Sequence, residues 1–272
     1  MITLLKAIFY GILEGITEWL PVSSTGHLIL LSGLLRLDAS DAFFELFEVV
    51  IQLGAILAVV VMFFHKLNPV SGDKSASERR ATWLLWGKVL LAVLPSAILG
   101  LLLDDFLDEH LYNAPVVAAA LIFYGIIFLF LERKRHKQPR TDSTEHISWR
   151  AALGIGCFQV LSLIPGTSRS GATILGGMLL GLSRALAAEF SFFLGIPTMA
   201  GAGALKAVKF FLSGEVLSGE EILILVAATL TAFAVSLAVI RFLLDFVRRH
   251  SFAPFGVYRI LLGAVVLLVY FL

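Results

Sequence analysis

The chain has 272 residues, 58% of them hydrophobic and 15% charged, with a formal net charge of +1. A soluble domain is about 45–50% apolar and about 25% charged, so composition excludes a soluble globular protein and indicates a polytopic α-helical membrane protein. No alternating pattern of about ten residues suggests a β-barrel, near-zero charge gives no nucleic-acid signal, and the lone Cys157 excludes an intrachain disulfide.

In chain order, residues 1–37 form an apolar region broken by polar and Gly/Pro residues. Glu14 and Glu18 interrupt it, so residues 1–20 do not read as a signal peptide. Spans follow at about 43–64, 81–103 and 115–131. A basic linker, 132–149, leads to a second broken region, 150–182, and then to spans at about 185–212, 221–244 and 253–272. Segments 65–80, 132–150 and 241–252 carry Lys and Arg, whereas 104–114 and 213–221 carry none. The positive-inside rule puts the first three in the cytoplasm and the last two outside, and the six spans then alternate without conflict. Each broken region must begin and end on one side. Its halves are short for spanning, so each reads as a re-entrant helix-loop-helix hairpin, allowed at depth only inside protein or against a wet cavity.

The halves 1–131 and 150–272 resemble each other. "LPVSSTGH" (20–27) lies over "IPGTSRSG" (164–171), with Pro21 over Pro165 and Ser24 over Ser168, and "EVVIQLG" (48–54) lies over "EFSFFLG" (189–195). A hairpin plus three spans per half is an odd number of crossings. The expected architecture is therefore an inverted repeat within one membrane domain, with broken helices meeting near the midplane. Glycines 195, 201 and 203 read as helix-packing positions.

Two clusters carry the chemistry. Glu14 and Glu18 are i,i+4 and share a helix face. Ionised carboxylates at membrane depth cost about 2.5–3.5 kcal/mol each on insertion scales, which calls for a divalent cation, an arginine or water. After Pro21, Ser23, Ser24 and Thr25 offer hydroxyls, Gly26 allows close approach, and a helix from 27 to 35 would present free N–H groups suited to an anion. His27 beside these groups suits an acid–base or phosphate-contact role. In "PGTSRSGAT" (165–173), Pro165, Gly166 and Gly171 mark a tight non-helical loop, Thr167, Ser168, Ser170 and Thr173 carry hydroxyls, and Arg169 presents a fork suited to phosphate. Together the clusters suit phosphoryl transfer at a membrane-held phosphate, and neither a zinc site nor a Walker loop.

"EGITEWLPVSSTGH" and "PGTSRSGATILGGMLLG" resemble the two signature motifs of the undecaprenyl pyrophosphate phosphatase family, also called the bacitracin-resistance family. The resemblance implies removal of the terminal phosphate from undecaprenyl diphosphate, which recycles the lipid carrier of envelope polymers and confers bacitracin resistance. It also implies a bacterial plasma-membrane location, a site opening to the outer face and dependence on Mg²⁺ or Ca²⁺. On this reading Ser24, Glu14, Glu18, His27 and Arg169 are catalytic. Ser23, Thr25, Gly26, Ser168, Ser170, Gly171 and Thr173 bind substrate, Glu14 and Glu18 hold metal, and Ser24 and His27 both stand as nucleophile. The partners expected are the polyprenyl diphosphate and membrane lipids, with no nucleic acid, and a homodimer is compatible with the sequence. The rival reading is a lipid-phosphate or anion transporter or flippase on the same architecture.

Overall fold

A computed structural model describes residues 2–35, 37, 39–134 and 140–271. Residues 135–139 of the basic linker lie outside the described residues. The elements in order are α1 (Ile2–Thr17), α2 (Ser24–Leu34), α3 (Asp41–Met62), the single turn α4 (Phe64–Leu67), α5 (Ala76–Leu111) and α6 (Ala114–Lys134). They continue with α7 (Trp149–Val160), α8 (Arg169–Leu179), α9 (Arg184–Leu212), α10 (Gly219–Arg249) and α11 (Ala253–Phe271). Among the described residues there is no strand, only an isolated bridge between Thr141 and Leu182.

Serine starts the helices. Ser40, Ser75, Ser148, Ser183 and Ser218 each accept a first-turn N–H at the head of α3, α5, α7, α9 and α10, and Glu78 and Glu221 complete capping boxes. Among the described residues six helices are long and apolar enough to cross a membrane: α3, α5, α6, α9, α10 and α11. This is an all-α, multi-pass membrane protein, and the six expected spans fall on these six helices. α5, α6 and α10 run further at both ends than hydropathy suggested. Segment 104–114, expected as a loop, is helical to Leu111, since residues 104–111 contain no Pro or Gly to break the helix. The broken regions yield α1, α2, α7 and α8, of 16, 11, 12 and 11 residues. At 1.5 Å per residue, none reaches the roughly 30 Å of a hydrocarbon core.

α9 is central, with 56% of its apolar window buried, against 28% for α5 and α10, whose outward faces expose Leu90, Leu94, Leu230 and Phe242. The basic segments meet at one end of the bundle. Lys66 pairs with Glu189 (2.5 Å), Arg184 pairs with Glu132, and the Phe252 N–H donates to Glu132 (2.9 Å). Lys88 Nζ donates to the carbonyls of Thr144 and Glu145, fastening the linker to α5. Glu45 and Lys206 join α3 to α9 elsewhere (2.8 Å).

α1 lies along α10 as α7 lies along α5, and the two crossings share their detail. A Cβ on Gly11 would sit 2.4 Å from the Ala228 carbonyl oxygen, and one on Gly156 would sit 2.2 Å from that of Ala92. Three residues on, Glu14 and Gln159 are both fully buried. Ser23 and Ser168 begin α2 and α8 at φ 73° and 69°, and their hydroxyls accept from the Gly26 and Gly171 N–H groups. One sequence offset relates all four pairs. It matches Ser168 with Ser23 rather than with Ser24, so the sequence overlay of the two motifs is out by one. The reason is an additional residue between Pro165 and its cap. Gly166, at φ 88° with the Val117 carbonyl 2.5 Å from where its Cβ would be, turns the chain there.

Of the glycines expected to pack helices, Gly195 faces Arg169 and Gly203 faces Leu53, but Gly201 has nothing within 4 Å. Another backbone-to-backbone crossing lies elsewhere. Gly125 and Gly256 stack α6 on α11 with a Cβ-to-carbonyl approach under 3.0 Å from either side.

Candidate active site

Where α1 ends, the chain turns through residues 18–22 and re-enters a helix at Ser24. α2 therefore starts three residues before the expected 27. The second loop also closes sooner than expected, because Ser168 caps α8 and Arg169 is its first residue, leaving Gly171 inside the helix. Non-glycine residues at φ > 0 are uncommon and store strain. Ser23 and Ser168 are the only two among the described residues, and both sit where a helix N-terminus meets the site.

The two clusters meet across 151 residues of sequence. Arg169 Nε and Nη2 donate to Glu18 Oε1 at 3.2 and 2.9 Å, and Nη1 donates to the Ser191 carbonyl at 2.7 Å. Both side chains of the pair are about a tenth exposed, so water screens the pair little. The other carboxylate oxygen of Glu18, Oε2, accepts from Ser24 Oγ at 3.4 Å. Ser170 Oγ lies 3.0 and 3.2 Å from the Glu18 and Leu20 carbonyls, which pins the second loop against the first, and 3.1 Å from Ser168 Oγ. Thr173 donates to Ser191 Oγ on α9 (2.7 Å). Thr25 is half-buried in the first turn of α2.

Glu14 is fully buried, and neither carboxylate oxygen has a hydrogen-bond partner among the described residues. Its charged neighbours are Glu18 and Glu48 on the anionic side and Arg169 on the cationic side. Among the described residues no group of three or more His, Cys, Asp or Glu gathers around one point. A site here would draw on Glu14, whose orphaned oxygens are hard donors, and on Glu18, its carboxylate neighbour one helix turn on. That set fits Mg²⁺ or Ca²⁺ with further oxygens from water or phosphate. Glu189, which the sequence overlay sets opposite Glu48, is taken by Lys66.

His27 stands apart from Glu18. Its Nδ1 lies 2.7 Å from the Ser23 carbonyl and its Nε2 2.7 Å from the Tyr258 hydroxyl. Sequence reading took α11 as a plain span and missed its part in the site. Arg259 there is fully buried and donates to the carbonyls of Pro21 (3.2 Å), Gly166 (2.9 Å) and Thr167 (2.8 Å), with its guanidinium 5.8 Å from the Tyr124 ring. It binds both broken loops at once. The signal was present, since Arg259 is the one charged residue in 253–272 and an intramembrane arginine marks a site by default.

The site thus sets a hydroxyl beside a carboxylate, an arginine fork across from them, and two strained helix N-termini. These are the parts needed to hold and attack a phosphate. Comparison with known proteins agrees in kind. The chain is 56% identical over 268 residues to an undecaprenyl-diphosphatase of Streptococcus thermophilus, covering 98% of this chain and 93% of that one. It is 54% identical over 263 residues to the enzyme of that name from Enterococcus faecalis (96% and 95% covered), and 54% over 269 residues to that of Streptococcus agalactiae (98% and 96%). The model of the bacitracin resistance protein BacA family matches residues 7–265, and the chain belongs to that family.

Proposed function

We propose that the protein is an undecaprenyl-diphosphatase. It removes the terminal phosphate of undecaprenyl diphosphate in the membrane, returns the monophosphate carrier to envelope synthesis and thereby confers bacitracin resistance. The observation that carries this reading is Glu18, one oxygen held by Arg169 and the other accepting from Ser24. In the proposed route, Ser24 Oγ attacks the terminal phosphorus and its proton passes to Glu18. The bond to the bridging oxygen breaks, undecaprenyl phosphate departs, and water attacks the phosphoserine to release phosphate and restore Ser24. Arg169 and the N–H groups opening α2 and α8 stabilise charge on the equatorial oxygens. Glu14, with Glu18, would hold a divalent cation, which when bound offsets phosphate charge.

Ser24 is preferred to His27 as nucleophile because its hydroxyl faces a carboxylate, whereas both ring nitrogens of His27 are engaged. The matched detail of α1–α2 and α7–α8 supports an inverted repeat of two re-entrant hairpins within one domain. The gathering of the basic segments at one end supports a plasma-membrane protein with that end cytoplasmic and the site opening outward.

Phosphate release from undecaprenyl diphosphate by the detergent-purified protein tests the reading. Wild type should turn over. Ser24→Ala should lose at least about 10²-fold, and EDTA should abolish activity until Mg²⁺ or Ca²⁺ is restored. A transporter would release no phosphate, and near-full turnover by Ser24→Ala would remove Ser24 as nucleophile.

A further inference from the structure

Three contacts, from two residues, define the surroundings of His27. Nδ1 is 2.7 Å from the Ser23 carbonyl oxygen. A carbonyl can only accept, so Nδ1 carries a proton. In the neutral ring Nε2 is then a lone pair, and the atom 2.7 Å from it is the Tyr258 hydroxyl, which must donate. The rings are also nearly parallel, 12° apart with centroids at 5.6 Å. The imidazole is therefore held through both nitrogens and across its face.

The anchor on each side belongs to the site. Ser23 is the strained cap of α2, immediately before Ser24. Tyr258 precedes Arg259, which binds the Pro21, Gly166 and Thr167 carbonyls. Adjacent residues of α11 thus fix the histidine and the two loops. A hydroxyl can donate to a neutral imidazole and accept from a charged one, so this contact can persist while His27 gains or loses a proton. Second partners that set the tautomer and orientation of a functional histidine are integral to its role.

We propose that Tyr258 is a positioning residue of the reaction, holding His27 as the Nδ1–H tautomer with the Nε2 lone pair accepting from the Tyr258 hydroxyl. The inference rests on the phosphatase reading. The test compares wild type, Tyr258→Phe, His27→Ala and the double variant for phosphate release from undecaprenyl diphosphate across pH. Phe keeps the ring and its stacking and removes only the hydroxyl. Tyr258→Phe should lower kcat by about five- to tenfold, the worth of one hydrogen bond, change KM less than about twofold and displace one limb of the pH profile. In the His27→Ala background it should cost nothing further. In parallel, ¹⁵N-imidazole spectra of wild type and His27→Ala identify the His27 resonances, which should report Nδ1–H; this reading needs no Tyr258 variant to fold. A wild-type kcat and pH profile in Tyr258→Phe, a loss additive with His27→Ala, full activity of His27→Ala, or an Nε2–H tautomer would each overturn the inference. Only the absence of phosphate release by wild type would overturn the phosphatase reading beneath it.

Discussion

Gly195 on α9 lies under the Arg169 guanidinium, and replacing it with alanine should separate activity from stability. The added Cβ would fall 2.9 Å from Arg169 Cζ and Nη1 and 3.0 Å from Nη2. Optimal contacts between such atoms lie near 3.5–4.0 Å, so the fork must retreat by about 0.5–1 Å. Backbone cannot take up the strain cheaply, but the end of an arginine can, so the fold tolerates the change. Alanine is also a better helix former than glycine by about 0.8–1.0 kcal/mol, and Gly195 sits mid-helix. The bond that suffers is Arg169 to Glu18, now 2.9 Å. A misplacement of about 1 Å at a positioning group costs up to about 10²-fold, or about 2.7 kcal/mol of barrier. Gly195→Ala should therefore melt at or above the wild-type temperature in detergent and lose between about ten- and a hundredfold in kcat for phosphate release. Wild-type kcat with wild-type melting would refute the claim that the placement of Arg169 limits the reaction.

The remaining predictions follow from the same contacts. Arg169→Lys should fail nearly as badly as Arg169→Ala in the phosphate assay, since a point charge cannot reproduce the fork shared by Glu18 and Ser191. Arg259→Met should destabilise the protein by several kcal/mol, seen as a large fall in melting temperature, because the Pro21, Gly166 and Thr167 carbonyls lose a donor at roughly 1–3 kcal/mol each. Gly156→Ala should also fall in melting temperature, its Cβ meeting the Ala92 backbone at 2.2 Å, whereas Gly72→Ala, with nothing within 4 Å, should not. Glu14→Gln should weaken the restoration of activity by Mg²⁺ after EDTA, measured as a rise in the metal concentration required.

The cluster reading was legible because polarity in an apolar chain is costly and therefore local. Glu14, Glu18, Ser24, Arg169 and Ser170 stand out in 58% hydrophobic sequence, and the structure joins Glu18 to Ser24, Arg169 and Ser170. Arg259 and Tyr258 were not read, because α11 otherwise looks like a plain span and its partners lie more than 90 residues away. The sequence overlay of the two loop motifs is also one residue off from the match of their helix caps. A proline match is visible in letters, but a cap is defined by φ and by which N–H its hydroxyl accepts.

Composition and charge alone determined the class of the protein, its six spans and the segments able to carry chemistry, because hydropathy and the cost of buried charge act residue by residue. Which oxygen of Glu18 meets Arg169, that His27 turns to Tyr258 rather than to Glu18, and that one arginine on α11 holds both loops were decided only by tertiary packing. Those contacts depend on how helices far apart in sequence cross, and the crossings are set by backbones meeting at Gly11, Gly125, Gly156 and Gly256.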